Sequence, residues 1–262
     1  MRLIDPERVV ALMRAVAKEA ILPRFRNLKP GETREKGPND LVTVADLESE
    51  KLLTAELVAM LPGSVVVGEE AVAASVAVLD RLEGEAPVWI LDPVDGTLMF
   101  ARGSEQFAVI VALVDRGRTV AGWILDPVGD HVLVAEEGAG AWLDGRRMRI
   151  AGGKPPAAMT GVAWGTAALA KRVGARVGKS LAWGSAGRAY MALAAGELDF
   201  MFARSLKPWD HAAGDLIHRE AGGHAALFDG TPYRPVPLST QFLAAPDLEG
   251  WTALRGIAGG DG

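Results

Sequence analysis

Trp89 to Phe100 reads WILDPVDGTLMF, an apolar run that ends in Asp92 and Asp95, with Gly96 and Thr97 directly behind. Val88 to Leu91 are apolar at every position, the pattern of a strand covered on both faces, and Pro93 and Gly96 are expected to stop it abruptly. Two carboxylates then share one strand end. The amides of Gly96 and Thr97, opening a helical turn, point at whatever anion lies in front of them. Asp, Pro and Gly also build ordinary surface turns, so the stretch needs company to be read as a site.

Four further segments supply that company, each bringing carboxylates or small residues to a strand edge or helix start. KGPNDLVTVAD ends at Asp46, VVVGEE ends at Glu69 and Glu70, WGSAGRAY starts at Trp183 and PWDHAAGDLIHREAGG starts at Pro208. Composition limits the chemistry. With no cysteine, disulfides, thiolate catalysis and thiolate zinc sites are excluded. The four histidines show no metal-ligand spacing, so a metal must be held by oxygen. A net charge of −5 argues against nucleic acid as a partner. The same acidity would repel a phosphate from Asp46, Glu69, Asp92, Asp95 and Asp210 unless cations invert the local sign, and Mg²⁺ with its preference for carboxylate oxygen is the natural one. Apolar residues make up 49% of the 262, yet no run has the ~18 uncharged apolar residues of a membrane span. No signal-peptide core stands at the N-terminus, so no membrane contact and a cytoplasmic location are expected.

Along the chain, Asp5 and Pro6 read as the cap and first residue of an amphipathic helix reaching about Leu22. Arg24 to Asn39 reads as a hairpin or mobile loop, with Lys36 in solvent. A helix starting just before or at Asp46 buries Leu52, Leu53, Leu57 and Leu61 and stops at Pro62-Gly63. Val65 to Val67 is a strand that delivers Glu69, and Phe107 to Leu113, Thr119 to Leu125 and His131 to Glu136 are antiparallel strands. Gly138 to Ile150 closes an N-terminal α+β lobe over 1–151. Beyond Gly152 to Pro156, strands near Gly161, Leu181, Leu198 and Phe242 alternate with helices near Ala167, Ala186, Asp210 and Leu248, an α/β lobe over 152–262. His211 and His218 are expected on a solvated helix face, and Trp209 as a packing anchor.

With DPVDGTLMF at Asp92 to Phe100 and WDHAAGDLIHREAGG at Trp209 to Gly223, the chain resembles the inositol monophosphatase family of metal-dependent phosphomonoesterases. The resemblance covers about Leu3 to Arg255. It implies a layered α/β/α/β/α sandwich of two tightly joined lobes, a homodimer, lithium sensitivity, and two or three Mg²⁺ ions. Glu69, Asp92 and the Val94 carbonyl match the family's first metal site, and Asp92, Asp95 and Asp210 the second, with Glu70 near a loosely held third ion. Asp46 and Thr97 match the pair that orients the attacking water, which Glu69 helps to activate through its metal. Gly96 and Thr97 amides would hold the phosphate, and Ser185, Ala186, Gly187, Arg188 and Arg204 would face the substrate.

A small phosphorylated metabolite is the implied partner, with inositol monophosphate or a similar polyol or sugar phosphate first. A 3'(2'),5'-bisphosphate nucleotide, fructose 1,6-bisphosphate or histidinol phosphate is the alternative, and a non-catalytic dimeric binding protein a further one. Two departures bear on this choice. Met99 stands where the family commonly has asparagine, and Ala203 where inositol-specific members tend to carry glutamate. Arg188, Arg204 and Lys207 nearby would suit a second anionic group. The spacing of Asp92 and Asp95 excludes the covalent aspartyl-phosphate mechanism of haloacid dehalogenases, whose two aspartates stand two apart on one face of an extended strand.

Overall fold

The computed structural model describes residues 3–37 and 40–259. Asp5 caps α1 (Pro6–Val16), its carboxylate accepting the Glu7 amide at 3.1 Å. The helical path runs on through a wider turn at Ala17–Ile21 and a 3-10 turn at Leu22–Arg24. A hairpin of β1 (Thr33–Gly37) and β2 (Asp40–Thr43) follows, with Pro38 and Asn39 outside the described residues. Then come α2 (Val44–Met60), β3 (Val65–Gly68), α3 (Glu69–Ala74), β4 (Val88–Asp95), α4 (Thr97–Ala101), β5 (Ala108–Asp115), β6 (Arg118–Asp126), β7 (His131–Glu136), β8 (Gly140–Leu143) and β9 (Arg146–Arg147). The second half holds β10 (Thr160–Ala163), α5 (Ala167–Gly174), β11 (Lys179–Leu181), α6 (Ala186–Ala195), β12 (Phe200–Leu206), α7 (Pro208–Glu220), β13 (His224–Leu227), β14 (Leu238–Ala245) and α8 (Leu248–Gly259).

Strands β3 to β9 form a seven-stranded sheet in chain order, parallel only between β3 and β4. A five-stranded sheet runs β11-β10-β12-β14-β13. Side-chain alternation along β4 builds two cores. Trp89, Leu91 and Val94 pack with Val9 and Met13 of α1 and Leu53 and Leu57 of α2, while Val88 and Ile90 pack with Tyr190 and Leu193 of α6 and Leu216 and Ile217 of α7. Met201, Ala203, Phe242 and Ala244 of the second sheet join that α6–α7 core, and its outer face packs Val173 of α5 and Leu254 of α8. Five layers result, α/β/α/β/α, as the family resemblance implies.

The structure departs from the sequence reading in three respects. β4 does not stop at Leu91 but continues through Pro93 to Asp95, because one extra residue bulges between the pairs Asp92↔Ile110 and Asp95↔Ala108, which leaves the proline outside the regular ladder. The 3-10 stretch Val76–Glu83 and β13 have no counterpart in the sequence reading. His211 and His218 are not solvated: they are 3% and 1% exposed, since α7 lies between two sheets and has no solvent face.

Gly214 makes that sandwich possible. A Cβ there would stand 2.0 Å from the Tyr190 ring, so α7 approaches α6 only without one. Gly214→Ala is therefore expected to lower stability by about 1–3 kcal/mol in urea denaturation. Gly256→Ala, on the exposed face of α8 with no heavy atom within 4 Å of the new Cβ, should raise it by about 0.5–1 kcal/mol.

His218 donates its Nε2–H to the Ala245 carbonyl 2.8 Å away, and burial pushes its pKa from 6.5 down to about 4. The unfolded chain therefore takes up a proton near pH 6.5 that the fold refuses until near pH 4, so this contribution to stability is full above 6.5 and is lost as pH falls. The destabilisation caused by His218→Gln should accordingly shrink by about 1–2 kcal/mol between pH 7 and pH 5. A pH-independent difference would contradict burial of the neutral ring.

Candidate active site

The bulge at the end of β4 turns Asp92 and Asp95 toward the first turn of α7. Carboxylate oxygens of Asp92, Asp95 and Asp210 all lie within 4.8 Å of one another. Asp92 and Asp95 are 2% and 6% exposed. Each is buttressed differently. Asp92 Oδ1 accepts the Val94 amide at 3.1 Å, and its carboxyl shares a hydrogen bond with Glu69 at the start of α3. Asp95 is clasped by the N-terminus of α6, accepting the Ser185 hydroxyl and the amides of Ala186 and Gly187 at 3.1 and 2.6 Å. Asp210 sits in the first turn of α7, a favourable place for an acid.

Burial, and then the charges of Glu69, Asp95 and Asp210, hold the Asp92 carboxyl well above the usual carboxylate range. Asp210 is likewise raised, by burial and by Asp95, against the pull of Lys207. Burial pushes Asp95 to about 6, with the hydrogen bonds from Ser185, Gly187 and Ala186 opposing. Three acids so placed cannot all ionise without compensating cations. The donor set is hard oxygen throughout, which fits Mg²⁺ and excludes a soft-metal centre.

Behind this cluster stands the second pair. Thr43 caps α2 in a box with Asp46: Asp46 Oδ2 accepts the Thr43 amide and hydroxyl at 2.8 and 2.5 Å. Its other oxygen lies 3.0 Å from the Thr97 hydroxyl, which is also 3.0 Å from the Val94 carbonyl. Burial pushes the Asp46 carboxyl up to about 7 despite those hydrogen bonds. Gly96 links the two groups at φ 90°, and a Cβ there would come within 2.9 Å of the Gln106 carbonyl. Gly96 and Thr97 open α4 directly beside Asp95.

Several residues stand elsewhere than expected. Lys36 is not in solvent: β1 carries it into the site, where Nζ lies 3.1 Å from Glu69 and 2.8 Å from Glu70, and its side chain is 18% exposed. Unmatched carboxylates hold it there, and Lys207 stands 3.9 Å from Glu69 on the other side. The donors of Ser185, Ala186 and Gly187 hold Asp95, and Ser185 and Ala186 also line the adjoining cleft. Arg188 pairs with buried Asp126 of β6. Arg204 is exposed on the rim of the adjoining cleft.

The sequence reading missed Glu50, whose buried carboxylate accepts the Glu70 and Ala71 amides at 2.9 and 2.8 Å and so fixes the start of α3. It also missed Thr43, although Thr43-x-x-Asp46 is a legible capping signal. Glu50 offers no such signal, since an acid inside a helix normally faces water.

The model of the inositol monophosphatase family matches residues 5–258. The chain is 36% identical over 208 residues to an inositol-1-monophosphatase of Mesorhizobium japonicum, covering 74% of this chain and 75% of that one. It is 32% identical over 223 residues to the Nus factor SuhB of Vibrio cholerae, covering 80% of each. Among solved structures, an IMPase of Thermotoga maritima superposes with a TM-score of 0.84 at 26% identity, over 97% of this chain and 96% of that one. The chain belongs to the inositol monophosphatase family and is a phosphoric monoester hydrolase.

Proposed function

We propose that the chain is a Mg²⁺-dependent phosphatase of small phosphorylated metabolites that transfers the phosphoryl group to water without a phosphoenzyme. One observation carries this reading: the Thr97–Asp46 contact stands beside a crowded cluster of buried carboxylates. Glu69, Asp92 and the Val94 carbonyl would hold one ion and Asp92, Asp95 and Asp210 another, with Glu70 near a third. Bound there, Mg²⁺ supplies positive charge to the phosphate and leaving oxygens and acidifies the attacking water.

The chain's own groups do the rest. The Thr97 hydroxyl has one proton to give, and both acceptors within 3.0 Å, Asp46 and the Val94 carbonyl, compete for it. Its oxygen is thereby left to accept the proton of the attacking water while its own passes to Asp46, whose carboxyl burial has brought near neutrality. The water oxygen bonds to phosphorus, the bond to the leaving alcohol breaks, and the alkoxide is protonated by solvent. Amides of Gly96 and Thr97 would hold the phosphate oxygens.

A non-catalytic role is the weaker reading. Relatives bear the name Nus factor, but here the clustering of Asp92, Asp95 and Asp210 and the Thr97–Asp46 contact favour catalysis. A bisphosphate substrate has less support than the sequence suggested, since Arg188 is engaged by Asp126. The family resemblance supports a cytoplasmic homodimer, and no helix among the described residues is long and apolar enough to cross a membrane.

Phosphate release from a simple phosphomonoester should require Mg²⁺ and fall more than about 100-fold in Asp92→Asn. Wild-type turnover in that variant would sink the shared-ligand assignment. Thr97→Val should lower kcat about 10²–10⁴-fold with little change in KM, while Thr97→Ser keeps most of the rate. Equal loss in both variants would point to packing instead.

A further inference from the structure

A cleft of about 300 Å³ opens beside Asp95 and Asp210. This is where the alcohol half of a phosphomonoester must lie when its phosphate meets the carboxylate cluster. Trp164 and Trp183 form its walls, joined by a hydrogen bond of 2.9 Å from Trp164 Nε1 to the Trp183 carbonyl. Ala203, 2% exposed, contributes a methyl group. Asp95 and Asp210 are the only carboxylates among the described residues that line it, and both belong to the cation cluster.

Arg204, Ser205 and Ser185 also line the cleft, but the Ser185 hydroxyl is committed to Asp95, which leaves few side-chain partners for a ring covered in hydroxyls. Each hydroxyl taken out of water needs a partner, and indole faces offer none. Two half-buried indoles instead offer flat, polarisable surface, the usual platform for an aromatic ring. One polar group suits a heteroatom on such a ring. His211 also lines the cleft, and with Nδ1 3.0 Å from the Tyr190 hydroxyl, Nε2 is left for a ligand. Ser205 on the rim holds a left-handed backbone, φ 61°, at the irregularity of β12, a strain that concentrates at ligand sites.

We propose that this cleft selects phosphomonoesters of alcohols that carry an aromatic or heteroaromatic ring over those of polyhydroxylated rings, an assignment that rests on the phosphatase reading above. Trp164 and Trp183 take the ring faces, and His211 Nε2 takes its polar edge.

The test compares kcat/KM with Mg²⁺ for four esters whose leaving groups are all alkoxides: benzyl phosphate, cyclohexylmethyl phosphate, inositol 1-phosphate and glycerol 1-phosphate. Benzyl phosphate should lead. Trp183→Leu, which keeps apolar bulk but removes the π face, should lower the benzyl-to-glycerol ratio roughly 5- to 150-fold, the range for loss of one stacking contact, and Trp183→Phe should restore most of it. Thermal unfolding of both variants establishes that they are folded, and Trp164→Leu provides the same comparison at the hydrogen-bonded neighbour. Glycerol phosphate turnover with no benzyl advantage over the cyclohexylmethyl ester overturns the assignment but leaves the phosphatase reading standing. An unchanged ratio in folded Trp183→Leu and Trp164→Leu does the same. Silence on all four esters overturns both.

Discussion

Mutual repulsion among buried carboxylates is the constraint on which this molecule depends. Asp92, Asp95 and Asp210 come from a strand end and a helix start, yet their oxygens meet within 4.8 Å. Apolar layers around them remove the water that would otherwise screen their charges. All three are held above the ordinary carboxylate range, and Lys36 and Lys207 are drawn toward Glu69 at the edge of the same cluster. A fold that maintains such an arrangement carries a standing demand for positive charge. Divalent cations meet that demand and make the site attractive to a phosphate that the bare acids would reject.

The fold serves this geometry by making α6 and α7 common property of both sheets. α7 must lie close enough to β4 for Asp210 to face Asp92, and α6 close enough for its first amides to grip Asp95. Small residues Ala212, Ala213 and Gly214 let the layers approach, with Gly214 against the Tyr190 ring. A single core therefore joins residues from β4, β5, α6, α7, β12 and β14. Positioning of the site and packing of the middle layer are one structural problem, which explains why the second half of the chain supplies a carboxylate to a cluster built mainly by the first.

The mixed α and β content was legible because the apolar runs at Val88 to Leu91 and in β6 and β7 carry burial directly in residue type, whereas the five layers came from the family resemblance. The carboxylates were legible because Asp and Glu at strand ends and helix starts stand out against apolar flanks. What the sequence hid follows from partners distant along the chain. Nothing local shows that Lys36 will be captured by Glu69 and Glu70, that Glu50 will cap a helix 20 residues on, or that Asp126 will engage Arg188. The histidines of α7 were misjudged for a related reason: a helix with charged residues reads as half solvated, and only the second sheet, pressed on its far side, buries His218. Pro93 looked like a stop, but a bulge absorbed it and carried the strand on to Asp95.

The central claim is that the Asp92–Asp95–Asp210 cluster is a divalent-cation site, and direct calorimetric titration with Mn²⁺ at pH 6.5, repeated in buffers of different ionisation enthalpy, tests it without reliance on turnover. The account expects saturable binding of at least one ion per chain, with protons released as the raised carboxylates ionise, and loss of that binding in Asp210→Asn. Absence of binding to the folded wild-type chain, or unchanged binding in the variant, would contradict it.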